Sequence, residues 1–284
     1  MHGNFTGTIK RTFAGSLCLL ALILLFPAQG WSETGAQQNQ ERLKQVIAGE
    51  QREAKNKTRD AYRRPHETLT FFGITPDMTV VEIWPGRGWY SEILAPYLKG
   101  SGKLYAASYE KGGGGYTGKI LKSYMETLKA QPEVYDEIIV TELSNDKTAI
   151  APEGSADMVL TFRNVHNWMK FGYENTVFEA MYKALKPGGV LGVVEHRADP
   201  EEIPDPQAKS GYVPEDAVIE MAEAAGFKLV EKSEMNANPK DTRNHPGGVW
   251  TLPPSLRLNE KDRDKYIAIG ESDRMTLKFV KPKT

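Results

Sequence analysis

Cysteine is nearly absent: Cys18 is the only one in 284 residues. A disulfide framework is therefore excluded as a source of stability. Excess charge of one sign is lacking too. Thirty-six basic residues face 37 acidic ones, a formal charge of −1. No bulk positive field argues for a nucleic-acid partner. Long apolar runs are missing, apart from Leu17–Phe26, which is too short to span a bilayer comfortably. No internal repeat is visible. What remains is the composition of an ordinary soluble globular chain, 26% charged and 40% hydrophobic, with room for one large domain or two small ones.

The first 30 residues read as a removable leader. Lys10 and Arg11 precede the apolar run without an acid, and Pro27-Ala28-Gln29-Gly30 supplies small residues at cleavage spacing. An uncleaved anchor is the alternative. Cys18 lies inside the apolar run behind Leu17, which argues against lipidation. The expected product is an exported protein, periplasmic or secreted, with no stable membrane insertion, no cysteine and a net charge of −3. Residues 31–57 are polar and read as a linker or an exposed helix with little to bury. The domain proper is expected over 58–284.

The stretch Thr79–Glu110 organises that domain. Thr79–Trp84 is a short β-branched apolar run, read as a buried strand. Pro85-Gly86-Arg87-Gly88 breaks it, Trp89–Leu98 carries helical spacing, and Lys103–Tyr109 is a second strand. A glycine turn between strand and helix lets backbone approach a ligand and offers free N–H donors. Before it, Thr58–Phe72 reads as a helix broken at Pro65, with Arg63, Arg64 and His66 able to face a pocket. After it come Gly112–Gly115, expected as a mobile loop, then helix Lys119–Ala130 and strand Glu137–Leu143. Strand Ser155–Phe162 and helix Tyr173–Leu185 follow, the helix stopped by Lys186-Pro187-Gly188-Gly189. Strand Val190–Glu195, helix Pro214–Ala225, and strands Phe227–Ser233 and Arg274–Lys281 complete the set. Alternating strand and helix gives an α/β, Rossmann-like, doubly wound sheet.

EIWPGRGWY together with LKPGGVLGVVEH resembles the class I S-adenosylmethionine (SAM)-dependent methyltransferases, and with the leader and RNVHNW resembles an exported group of them. The resemblance covers about Tyr62 to Lys281. It implies a seven-stranded sheet whose last strand is antiparallel, SAM as cofactor, and methyl transfer to an acceptor that is expected to be a small molecule. Glu82 takes the family's acidic place, and Gly86 and Gly88 take the second and third glycine places around Arg87. Trp84 stands where the first glycine is usual. Ser108 stands where an acid binds the ribose hydroxyls, and Glu110, two residues on and on the same strand face, is the nearest substitute. Asn145 and Asp146 fall where the family places an adenine contact.

Polar groups concentrate after the strands. Arg163, Asn164 and His166 follow the fourth, and Glu195, His196 and Arg197 end the fifth. In an open α/β sheet these ends converge on one cleft. Methyl transfer needs an in-line approach and, for a protic acceptor, a base. His166 is the candidate base. Trp168, Trp84 or Trp89 is the candidate cation–π partner of the sulfonium, while Arg163, which also borders the cofactor, and Arg197 are candidates to bind an anionic acceptor. Two rivals stay open. The fold can be reused for another metabolite, which Trp84, Ser108 and export all favour, since SAM is made in the cytosol. Less favoured is a metal-dependent hydrolase using His166, Glu195 and His196, with His245 on a flexible loop.

Overall fold

The computed structural model describes residues 1–4, 7 and 29–283. Leu17–Phe26 and most of the expected leader lie outside the described residues. Among the described residues no helix is long and apolar enough to cross a membrane. The elements run α1 (Gln29–Ala48), α2 (Ala54–Lys57), α3 (Asp60–Arg63), α4 (Pro65–Phe72), β1 (Thr79–Ile83), α5 (Ser91–Leu98) and β2 (Lys103–Ser108). They continue with α6 (Gly115–Ala130), α7 (Pro132–Tyr135), β3 (Ile138–Glu142), β4 (Ala156–Phe162), α8 (Val165–Phe171), α9 (Glu174–Ala184) and β5 (Leu185–His196). The last are α10 (Glu215–Ala224), β6 (Lys228–Ser233), α11 (Arg263–Ile269) and β7 (Arg274–Val280).

The strands form one seven-stranded sheet in the order β3-β2-β1-β4-β5-β7-β6. The five strands from β3 to β5 are parallel, and β7 runs antiparallel between β5 and β6. β1 is apolar on both faces because it is covered on both. Val80, Val81 and Ile83 are all buried. One layer packs Leu43, Leu69, Phe72, Ile93 and Leu94 from α1, α4 and α5 against the sheet. The other packs Trp168, Val177, Phe178, Met181, Val218 and Ala222 from α8, α9 and α10. Gly192 in β5 is where the first layer comes closest: a Cβ there would lie 2.8 Å from both the Phe72 ring and Leu160.

Two expectations need correction. The polar stretch before residue 58 does bury side chains. Leu43 is fully enclosed, and Arg52 is buried with a two-pronged ion pair to Asp60, at 2.7 and 2.8 Å. Lys186-Pro187-Gly188-Gly189 does not end a helix. It lies inside β5, where the pairing with β4 jumps from Ala156↔Leu185 to Met158↔Val190. A proline and two glycines fit such a bulge, which leaves a backbone N–H unpaired in the ladder. The segment after β4, which carried no assigned element, is the short helix α8.

Because β1 pairs with β2 on one side and β4 on the other, the chain changes winding direction between β1 and β4. Such a switch point opens a crevice at the strands' carboxyl ends. Asn164 bridges it: its amide donates to the Ile83 carbonyl at 2.8 Å and to Thr161 Oγ1 at 3.3 Å.

Candidate active site

Two neighbourhoods lie along this edge. The first surrounds the turn after β1. Gly86 and Gly88 have φ of +64° and +92°, the left-handed region open to glycine. A Cβ on Gly86 would meet nothing within 4 Å, so its outer side is open. One on Gly88 would lie 3.2 Å from the Tyr124 ring. Glu82 is buried below the turn and accepts a 2.6 Å bond from Ser91 Oγ. Burial pushes its carboxyl pKa up to about 7, against the smaller opposing effect of that bond. Arg87 is exposed and donates to Ser123 Oγ on α6 at 2.9 Å, so it points along the surface.

Trp84 reshapes this neighbourhood. Its φ is +44°, unusual for a bulky residue, and its indole N–H donates to the Leu143 carbonyl past β3 at 3.1 Å. Its ring touches Tyr109 past β2 (centroids 4.6 Å apart) and meets Trp168 and Tyr173 edge-on at 6.1 and 6.2 Å. Trp84 therefore lies across the ends of β1, β2 and β3, where the resemblance puts adenosine. Ser108 is buried. Glu110 is exposed and pairs with Lys147 at 3.0 Å, and Asn145 and Asp146 are exposed on the turn beyond β3.

SAM fits these residues in kind, and its two halves fit unequally. The methionine end meets an open glycine turn. The base meets two aromatic faces in contact, and a ring between them needs centroids about 7 Å apart. Trp84 is fixed by its hydrogen bond, whereas Tyr109 is half-buried and leads into Gly112–Gly115. For a base to lie between the two rings, Tyr109 would be the one to move. Those glycines are not all loop, since α6 starts at Gly115.

The second neighbourhood lies past β4 and β5. Glu195 is fully buried at the end of β5 and accepts three N–H groups. They come from the His196 backbone at 2.7 Å, the His166 backbone at 3.3 Å, and the His166 ring at 3.1 Å from Nδ1. That pairing assigns the His166 proton to Nδ1 and leaves Nε2 as an acceptor. His196 faces His166 at 5.4 Å between ring centroids and shares a 2.5 Å hydrogen bond between Nδ1 and Ser272 Oγ. Burial drives the His196 pKa well below its ordinary value, helped by the neighbouring His166 ring and by the charges of Arg163, Arg274 and Arg63. His196 is therefore neutral at neutral pH. Trp250 closes the far side, its ring 6.0 Å from that of His166.

The structure thus brings together Arg163, Asn164, His166, Glu195 and His196, with Asn164 committed to tying strand ends. Arg197 is separate. It is held by Asp273 at 2.9 Å and by both oxygens of Glu234 at 2.7 and 2.6 Å, so it is paired within the fold and not free for an acceptor. His245 bonds Asp241 at 2.8 Å and is not one of the three residues whose ligand atoms converge. One carboxylate oxygen and one ring nitrogen from each of the two histidines lie within 4.8 Å of one another, close enough to hold a metal ion. Glu195, however, spends its oxygens on three N–H groups. Sequence reasoning missed Arg274 and Glu271, which stand beside Arg63 and Arg163.

No protein-family model matches the sequence, and no curated protein is similar to it. Solved structures are similar in fold. A SAM-dependent methyltransferase from Aquifex aeolicus superposes with a TM-score of 0.54 at 15% identity, over 85% of this chain and 98% of that one. The [4+2]-cyclase SpnF gives 0.57 at 12% identity, over 88% and 96%. An N-methyltransferase from Haemonchus contortus, solved with phosphomonomethylethanolamine and S-adenosylhomocysteine, gives 0.50 at 16% identity, over 78% and 53%. Sheet order, the antiparallel β7 and these likenesses agree: the chain has the class I methyltransferase fold.

Proposed function

We propose that this chain is a SAM-dependent methyltransferase acting on a small-molecule acceptor, exported from the cytosol after loss of its leader. The observation that carries the reading is the turn after β1. Gly86 is left-handed, with open space where a side chain would project, at the ligand edge of a methyltransferase fold. When bound, SAM supplies an electrophilic sulfonium methyl. The chain's part is positioning and proton removal. Gly86 and Gly88 let backbone N–H groups approach the donor's amino-acid end. Trp84 offers a fixed aromatic face to the base. Glu195 holds His166 by Nδ1 so that Nε2 accepts a proton from the acceptor, a contribution of about 10²–10⁴ in rate. Neutral His196 keeps a second positive charge away from that base.

A specific observation favours a second reading, in which the fold serves another metabolite. Trp84 lies against Tyr109 where the base belongs, and a [4+2]-cyclase is among the chains of similar fold. Calorimetric titration of the mature chain with SAM and S-adenosylhomocysteine, with parallel metal analysis, separates the readings. Methyltransferase function predicts micromolar binding, weakened about tenfold by Trp84→Ala, since base–aromatic stacking contributes about 1–3 kcal/mol. A folded, metal-free chain that binds neither compound belongs to the second reading. Stoichiometric metal lost on changing His166 would replace both with a metal site.

A further inference from the structure

Four guanidinium groups, from Arg59, Arg63, Arg163 and Arg274, surround one carboxylate at the open edge of the sheet. Glu271 accepts from Arg59 at 2.6 Å, from Arg63 at 3.3 Å and from Arg274 at 3.3 Å. Three positive charges are left over. Asp273, the other acid near Arg274, is already spent on Arg197 and Arg243.

The four arginines differ in what they have left to give. Arg274 is part of the frame, with its remaining donors on the Tyr62 carbonyl at 2.7 Å and the Ser272 carbonyl at 3.2 Å. Arg63 uses only Nε on Glu271 and lies over the Trp89 ring, 4.6 Å from its centre. The Arg163 guanidinium has no hydrogen-bond partner among the described residues, while its backbone N–H is tied to the Val194 carbonyl at 2.7 Å with φ at +62°. The fold thus fixes the base of this side chain and leaves its fork free. Burial lowers the Arg163 pKa to about 10, against the pull of Glu271. Arg163 is half-buried, and the one carboxylate near it is already shared by three other guanidinium groups. Partly desolvated cations left in excess gather where a ligand supplies the opposite charge.

The basin adjoins the base. Arg163, Arg274 and Arg63 all depress the pKa of His196, whose ring faces His166. Tyr90, stacked on Phe162 at 3.5 Å, gives the basin an apolar wall. We propose that the acceptor is a small molecule bearing a doubly charged oxyanion group, held between the free forks of Arg163 and Arg63 with its reacting end toward His166 Nε2. The word acceptor rests on the methyltransferase reading, but the anion subsite does not.

Tryptophan fluorescence tests it, because Trp89 lies under Arg63. The mature chain is titrated with inorganic phosphate and with malonate at constant ionic strength, using chloride as the singly charged control. Saturable quenching by at least one dianion is expected, at least tenfold weaker in Arg163→Gln and unchanged in Arg257→Gln, whose guanidinium lies on Trp250. Preference for phosphate assigns a phosphate ester, and preference for malonate assigns a dicarboxylate. Anion-free Arg163→Gln is expected to melt no lower than the parent, since no partner is lost. The proposal is overturned if neither dianion saturates, if Arg163→Gln binds as the parent does, or if it binds weakly only because it has begun to unfold. Titrating the same proteins with SAM keeps the two readings apart. Anion binding without SAM binding defeats the methyltransferase reading alone, and SAM binding without anion binding defeats the anion site alone.

Discussion

Glu82 makes the fold weaker as pH rises, and the size of the effect follows from its surroundings. The carboxyl is buried beneath the glycine turn with one hydrogen bond, from Ser91, and its pKa moves from 4.5 to about 7, chiefly through desolvation. Between those values the folded chain keeps a proton that the unfolded chain has lost. Stability attributable to this group is therefore whole below pH 4.5 and falls with rising pH, by about 1.4 kcal/mol per unit. By pH 8 the loss is about 3 kcal/mol. Glu82→Gln keeps an oxygen for Ser91 and never ionises. Its new amide N–H₂ carries a cost of its own, about 1–3 kcal/mol if unpaired, but that cost does not vary with pH. Urea unfolding of the mature chain and the variant at steps from pH 4 to pH 8.5 isolates the titrating part, because other groups cancel in the difference. The variant is expected to gain about 3 kcal/mol on the parent across that range. A difference that is flat in pH, or that grows the other way, refutes the argument and means that Glu82 is ionised in the folded state at no cost.

Other outcomes follow from the same geometry. His166→Ala should lower kcat by about 10²–10⁴ while leaving donor affinity within about twofold, and Glu195→Gln should act in the same direction by freeing the ring. Steady-state kinetics beside calorimetry checks both, and a loss of donor affinity instead would make His166 a binding residue. Gly88→Ala combines a φ of +92° with a Cβ 3.2 Å from the Tyr124 ring, and should cost about 1–3 kcal/mol in thermal unfolding. Gly86→Val meets nothing within 4 Å but puts a β-branched residue at φ +64°, so it should cost stability through backbone strain and donor affinity as well. Chain produced with its leader should be recovered outside the cytosol, shortened by about 30 residues on mass spectrometry; a full-length membrane-bound form would overturn the leader assignment.

Much of the sheet was legible in the sequence because its strands are short, apolar and separated by helices. β1 and the turn behind it needed only the change from β-branched residues to Pro-Gly-Arg-Gly. Helix α8 was hidden because seven residues hold too few turns to show a period. The fate of Arg197 was hidden by distance along the chain. Its partner Asp273 lies 76 residues away and reaches it only because β7 pairs with β5. The same pairing explains why Glu271 and Arg274 escaped notice. A parallel strand delivers its last residues to the ligand edge, whereas β7 runs the other way and delivers its first. Trp84 was noticed in the sequence as a departure. That its indole would turn across β2 and β3 depends on a backbone conformation that residue type does not announce.

The place of β7 also bears on when this chain can fold. It follows the sheet's other six strands in sequence, yet it sits between β5 and β6 and pairs with both. A nascent chain that stops before Arg274 has two strands with nothing to hydrogen-bond between them, and it also lacks the residue that frames the arginine basin. The native sheet thus cannot close ahead of synthesis. That delay makes completion of the sheet and completion of the site a single event.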